Sequence, residues 1–183
     1  MDLERHDVVI AGAGMAGATL ALALAQAGLK VAVIDPRIPD PHPGGFDGRA
    51  TAVAYAGFRI WRALGLGERM AREAQRIETV LVADGPGPGA AAAKRLPATL
   101  RFVSDDAEGR RGEGEPLAWM VENRNLRAVL SEALLASSAT IYAPATIASL
   151  EQGPREALIT LSDGRRLAAP LLVGAEGRNS AVR

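Results

Sequence analysis

Three glycines near the N-terminus, Gly12, Gly14 and Gly17, keep the spacing Gly-x-Gly-x-x-Gly within IAGAGMAG. The apolar run DVVIA precedes them, and an Ala- and Leu-rich stretch from Met15 to Gly28 follows. In that setting each glycine has its own task at a bound dinucleotide. Gly12 permits a tight turn off the strand. Gly14 brings the backbone up to a pyrophosphate with no side chain between, and Gly17 lets the helix lie close on the strand. Met15 and Ala16, between the last two glycines, open a helix whose free N–H groups and partial positive charge would face the phosphates. Asp35 ends the next apolar run, KVAVID, 18 residues after Gly17. A carboxylate there can accept hydrogen bonds from both ribose hydroxyls of an adenosine, and it argues against a site built for a 2′-phosphate. The competing reading is a tight strand–helix turn with no ligand, Asp35 merely capping a strand end. The joint context of strand, helix and acid favours the ligand, although the pattern alone does not separate FAD from NAD.

The elements that would position these residues follow from the apolar pattern. Residues 7–11 and 30–35 read as short buried strands flanking a helix over 15–28, a βαβ unit with a parallel sheet. The loop PRIPDPHPGGFDG follows, and a second helix is expected over 50–64, stopped by Gly65 and Gly67. From residue 77 the pattern changes. IETVLVAD and ATLRFVSDD read as strands, with GPGPGAAAAK between them and AEGRRGEGE after them as exposed loops. Apolar residues at 126, 129, 130, 133 and 134 predict a helix over 123–137. TIYAPATIASLEQ, EALITLS and RRLAAPLLVGA read as strands, with Asp163-Gly164 as a hairpin turn. The fold class expected is therefore α/β: a Rossmann-like βαβ domain with an inserted antiparallel β layer. A chain built only for NAD would be expected to continue with more parallel strand–helix units, so this departure favours a flavin-type architecture.

Composition sets outer bounds. The chain has 183 residues, 48% hydrophobic and 23% charged, enough for one domain with a real core. Its formal net charge is zero, so bulk electrostatics offers nothing to nucleic acid. There is no cysteine, hence no disulfide and no thiol nucleophile, and the only histidines, His6 and His42, do not make a His-rich metal site. Acidic residues near the N-terminus do not suit a secretory signal, and the apolar run from Ala16 to Ala25 is too short to cross a bilayer. A cytoplasmic location is the expectation.

Four stretches together resemble a known family. They are VVIAGAGMAGATLALALAQAGLKVAVID, DGRATAVAYAGFRIWRALGL, MVENRNLRAVLSEAL and LLVGAEGRNSAVR, spread from residue 8 to 183. In order and spacing they resemble FAD-dependent aromatic-ring monooxygenases of the para-hydroxybenzoate hydroxylase type. The second and third stretches resemble the branch that hydroxylates polyprenyl phenols in ubiquinone biosynthesis. The resemblance implies FAD as cofactor, NAD(P)H as co-substrate, and transfer of one oxygen of dioxygen to a phenolic ring. It places Gly12, Gly14, Met15, Ala16 and Gly17 at the FAD pyrophosphate and Asp35 at the adenosine ribose. Arg49 would reach the phosphates from the start of the helix after the loop, where its planar fork can meet two oxygens. Asn123, at the start of its helix, would sit against the cofactor; an ordinary N-cap is the plain alternative. Glu176 stands where the family carries Asp, moving the carboxylate by about 1.5 Å.

The same resemblance divides the chain into a nucleotide-binding part, 1–76 and 117–183, and the start of a substrate-side β layer, 77–116. It also implies that LLVGAEGRNSAVR is an internal motif, followed in the family by a second half with another flavin motif and much of the substrate pocket. This chain is then expected to be an N-terminal portion, inactive alone, and no catalytic residue is assigned within it. A peripheral membrane or biosynthetic-complex association follows only from the lipid character of polyprenyl substrates. The remaining alternatives are an NAD-dependent Rossmann oxidoreductase and a non-catalytic remnant with an uncovered apolar face.

Overall fold

The computed structural model describes residues 3–83, 99–104 and 114–178, together with Ser180 and Val182. The chain opens with a short strand, β1 (Leu3–Arg5), and a fully buried one, β2 (Val8–Ala11). Helix α1 (Met15–Gln26), built of strong helix formers, leads back to β3 (Val31–Ile34), buried throughout. Gly28 ends the helix with φ +84°, the left-handed conformation that a helix C-terminus favours. Next come β4 (Ala50–Ala54), α2 (Tyr55–Ala63), α3 (Gly67–Arg72) and β5 (Ala74–Ile77). Two strands, β6 (Thr79–Ala83) and β7 (Thr99–Val103), pair with each other. Strand β8 (Ala118–Glu122) runs directly into α4 (Asn123–Leu135). Strands β9 (Thr140–Tyr142), β10 (Ile147–Gln152), β11 (Ala157–Leu161), β12 (Arg166–Ala169) and β13 (Leu171–Gly174) complete the order.

The central sheet is parallel, in the order β13-β2-β3-β9. Alternate side chains of its buried strands feed two different cores, as the period of a strand requires. Val8, Ile10, Val31 and Val33 pack with α1, α2, α4 and β8. Val9, Ala32 and Ile34 pack with Tyr142, Ile159, Leu161 and Leu167. The second core lies against the sheet β1-β12-β11-β10, which is antiparallel except for the parallel pair β1–β12. A third sheet, β4-β8-β5, is antiparallel and joins the helical side through Trp119 and Val121. There the Phe58 and Trp119 rings stack at 3.9 Å, and Arg62 of α2 grips Glu115 with two hydrogen bonds of 2.5 and 3.0 Å. No helix is long and apolar enough to cross a membrane among the described residues.

The expected α/β architecture with an added antiparallel layer is present, but several elements differ from the sequence reading. Residues 50–64 are not one helix. Thr51 and Val53 alternate inward along β4, and β4 pairs with β8, so strand pairing overrides the ambiguous alanines. The expected strand over 165–175 is two strands in different sheets, divided at Pro170, which has no N–H to give. The candidate over 140–152 likewise divides into β9 and β10. Asp163-Gly164 does turn a hairpin, with Gly164 at φ +87° and β11 paired to β12. The expected loop over 85–94, and most of that over 107–115, lie outside the described residues.

His6 joins the first two strands and is buried between the parallel and antiparallel sheets, its N–H donating to Ala168 O at 3.0 Å. The Tyr142 hydroxyl donates to Glu4 Oε2 at 2.8 Å, and His6 Nε2 faces that hydroxyl at 3.5 Å. The His6 Nδ1 is buried with no hydrogen-bond partner among the described residues. Burial and the nearby Lys30 charge lower the His6 pKa, against smaller opposing effects of Glu4 and Asp7.

Candidate dinucleotide site

At the end of β2 the backbone turns sharply. Gly12 adopts φ +104° and its N–H donates to Ile34 O at 2.7 Å. A Cβ on Gly12 would lie 2.6 Å from Ala175 O, so the chain after β13 closes directly on this turn. A Cβ on Gly17 would lie 1.9 Å from Gly12 O, which only glycine avoids. These two glycines hold turn, helix and β13 together. Gly14 differs from both: a Cβ there would meet nothing within 4 Å. Its face is open, and α1 begins immediately after it without a side-chain cap. The first N–H groups of that helix are therefore left for a ligand or solvent.

Asp35, only 9% exposed, is tied into the same turn. Its Oδ2 accepts from Ala13 N at 2.7 Å and its Oδ1 from Arg37 N at 2.8 Å. The Asp35 N–H donates to Tyr142 O, and its carbonyl accepts from Ala145 N. Each carboxylate oxygen thus spends one lone pair on the backbone and keeps another. Asp35 therefore braces the glycine turn while retaining acceptor capacity.

Gly14, Met15 and Asp35 line a cleft of about 470 Å³, within the range typical of small-ligand sites. The loop after β3 contributes Ile38, Pro39 and Pro43, and α4 contributes Arg127, Leu130 and Ser131. The α4 residues were not among the sequence candidates. Their spacing of three and four marks one helical face, but only packing of α4 beside α1 brings that face to the glycine turn.

The other candidates sit apart from the cleft lining. Arg49 does not begin a helix, as the sequence reading expected; it precedes β4. Its Nε and Nη2 donate to Asp47 Oδ2 at 3.1 and 2.6 Å, and this side-chain pairing holds the Asp47 carboxyl below its usual range. Asn123 is the first residue of α4 rather than its cap, because Glu122 occupies the cap position. The Asn123 Oδ1 accepts from Thr51 Oγ1 at 2.6 Å, and its N–H donates to Arg49 O at 3.0 Å, so it knots β4 to α4. Glu176 turns back on its own segment and accepts from Ser180 Oγ at 2.6 Å and Val182 N at 3.3 Å. Ala16 is exposed in the first turn of α1 and does not line the cleft.

A glycine turn between parallel strands, an open helix N-terminus and an acid ending the second strand define a dinucleotide-binding α/β domain. The chain matches the model of the FAD binding domain family over residues 5–183, and it belongs to that family. It is 38% identical to ubiquinone hydroxylase UbiL of Rhodospirillum rubrum, across 97% of this chain and 38% of that protein. It is 30% identical to the 3-demethoxyubiquinol 3-hydroxylase of Escherichia coli, across 100% of this chain and 44% of that protein. Among solved structures, OxyS anhydrotetracycline hydroxylase from Streptomyces rimosus superposes with TM-score 0.73 at 25% identity, covering 98% of this chain and 33% of that one. The chain thus spans less than half the length of these relatives and corresponds to the FAD-binding portion of flavin monooxygenases.

Proposed function

We propose that this chain holds the ADP half of FAD in a monooxygenase that hydroxylates a phenolic, polyprenyl-bearing ring on the way to ubiquinone. The observation that carries the reading is the open face of Gly14 on the same cleft as the Asp35 carboxylate. The residues suit the group. Gly14, Met15 and Ala16 present backbone N–H groups where a pyrophosphate would lie, and Gly12 and Gly17 keep that turn tight. The spare lone pairs of Asp35 would accept from the ribose hydroxyls. Arg49 would supply positive charge once released from Asp47, Asn123 would fix the adjoining end of α4, and Glu176 would serve the ribose side from the turn after β13. When bound, FAD supplies the electron transfer from NAD(P)H to dioxygen that places one oxygen on the ring. The protein's share is to bind, orient and exclude water.

The UbiL and 3-demethoxyubiquinol hydroxylase similarities support the ubiquinone branch as the substrate class. In this reading residues 1–76 and 117–183 are the nucleotide-binding part, and 77–116 begin the substrate-side layer. A polyprenyl substrate would bring the complete enzyme to a membrane surface as a peripheral protein. The test is a titration of the folded chain with FAD, followed by flavin fluorescence, with NAD as control. Saturable FAD binding with no response to NAD is expected. Saturation by NAD alone would replace the flavin reading with an NAD-dependent one.

A further inference from the structure

The arginines near the cleft are not equally committed. Arg49 spends three donors on Asp47: its own N–H and two from its guanidinium. Arg124, on the first turn of α4, donates to Glu122 at 2.6 Å. Arg127, one turn further along and lining the cleft, donates no hydrogen bond among the described residues. Its nearest acid is Asp47 at 3.9 Å, beyond hydrogen-bond reach, and that carboxylate is already occupied by Arg49. Arg37 also lines the cleft, but it projects from the exposed loop after β3. The Arg127 side chain is exposed too, but it leaves a helix seated on buried Leu126 and Leu130, so its backbone position beside the cleft is fixed by packing.

The cleft's own acids do not claim Arg127 either. Asp35 accepts from the N–H groups of Ala13 and Arg37, and Asp40 accepts from His42 N at 2.8 Å. A guanidinium fork with one long ion-pair contact, donating no hydrogen bond among the described residues, thus shares a cleft with the open N-terminus of α1. Both features favour the same kind of ligand group, a phosphate oxygen.

We infer that Arg127 is a nucleotide-contacting residue, its guanidinium meeting the diphosphate of the dinucleotide from helix α4. This rests on the nucleotide reading given under Proposed function and adds a named contact to it.

The experiment is calorimetric titration of the full 183-residue chain with FAD, ADP and adenosine, for the wild type, Arg127→Met and Arg127→Lys. Arg127→Met should weaken FAD and ADP by about tenfold or more, the usual worth of a charge-assisted hydrogen bond. Adenosine, which lacks phosphate, should bind both proteins alike. Arg127→Lys should recover part of the loss as a point charge, and added salt should narrow the gap. The melting temperature should not move, because the Asp47 contact is long and exposed. Equal ADP affinity in wild type and Arg127→Met would overturn the assignment while leaving the nucleotide site intact. So would an adenosine loss as large as the ADP loss. A folded wild type that takes neither FAD nor ADP would overturn the nucleotide reading itself, and this contact with it.

Discussion

At the residue scale the three glycines of one motif do different physical work. Gly12 and Gly17 are required by the protein itself, because Cβ atoms there would strike the backbone at 2.6 and 1.9 Å. Packing does not require Gly14, because its Cβ would point into open space; in the reading proposed above, only a bound pyrophosphate needs glycine there. Paired substitutions should therefore separate folding from binding. Gly17→Val is expected to lower the unfolding free energy by at least about 3 kcal/mol through overpacking. Gly14→Val should cost about 1 kcal/mol or less as a poorer helix cap, yet abolish FAD binding. Denaturant melts and flavin titrations of both variants check this. Equal stability losses would sink the distinction. Spacing alone exposed all three glycines and Asp35. It could not show that Asp35 carries the turn as well as facing the cleft, since that depends on where the Ala13 and Arg37 N–H groups point.

At the scale of elements, α2 is the clamp between the helical layer and the β4-β8-β5 sheet. Phe58 and Trp61 are buried on one face of it, and Phe58 stacks on Trp119 of β8. Phe58→Ala is expected to cost about 3–5 kcal/mol, the usual range for emptying a buried aromatic site. It should also speed amide exchange in β8, which loses its packing partner. A loss below about 1 kcal/mol in a denaturant melt would show that the layer is held elsewhere. This layer was the least legible part of the sequence. ATAVA is mostly alanine, which fits helix or strand, and only its neighbour β8, distant in sequence, decides for strand. The two central parallel strands, β2 and β3, were legible because burial on both faces leaves an unbroken apolar run.

At the scale of the whole molecule, the joint between the two β layers carries a titratable group. His6 is buried beside Tyr142, whose own proton is held more tightly through burial and the Glu4 contact. Because burial lowers the folded pKa of His6 below 6.5, the unfolded chain takes up protons first as pH falls. The stability from neutral His6 is fully present above about pH 6.5 and is lost below it. Thermal melts of the wild type should drop between about pH 7 and 5, and those of His6→Gln should drop less over that window. Asp47, Asp163 and Glu115, whose carboxyl pKa values are lowered by arginine partners, lose their contributions only at more acid pH. Parallel pH profiles for wild type and His6→Gln would count against His6 as the titrating group.

The sequence by itself determined the βαβ front end, the glycine turn, the acid after the second strand and the helix that becomes α4. Each depends on contacts or conformational limits within a short stretch of chain: apolar period, glycine freedom and turn chemistry. Only the tertiary structure decided which segments became β4 and β8. It also split 165–175 between two sheets, brought Ala175 onto Gly12, and placed Arg127 along the cleft. Those outcomes depend on partners far away along the chain, and no local pattern encodes which distant strand or helix a residue will meet.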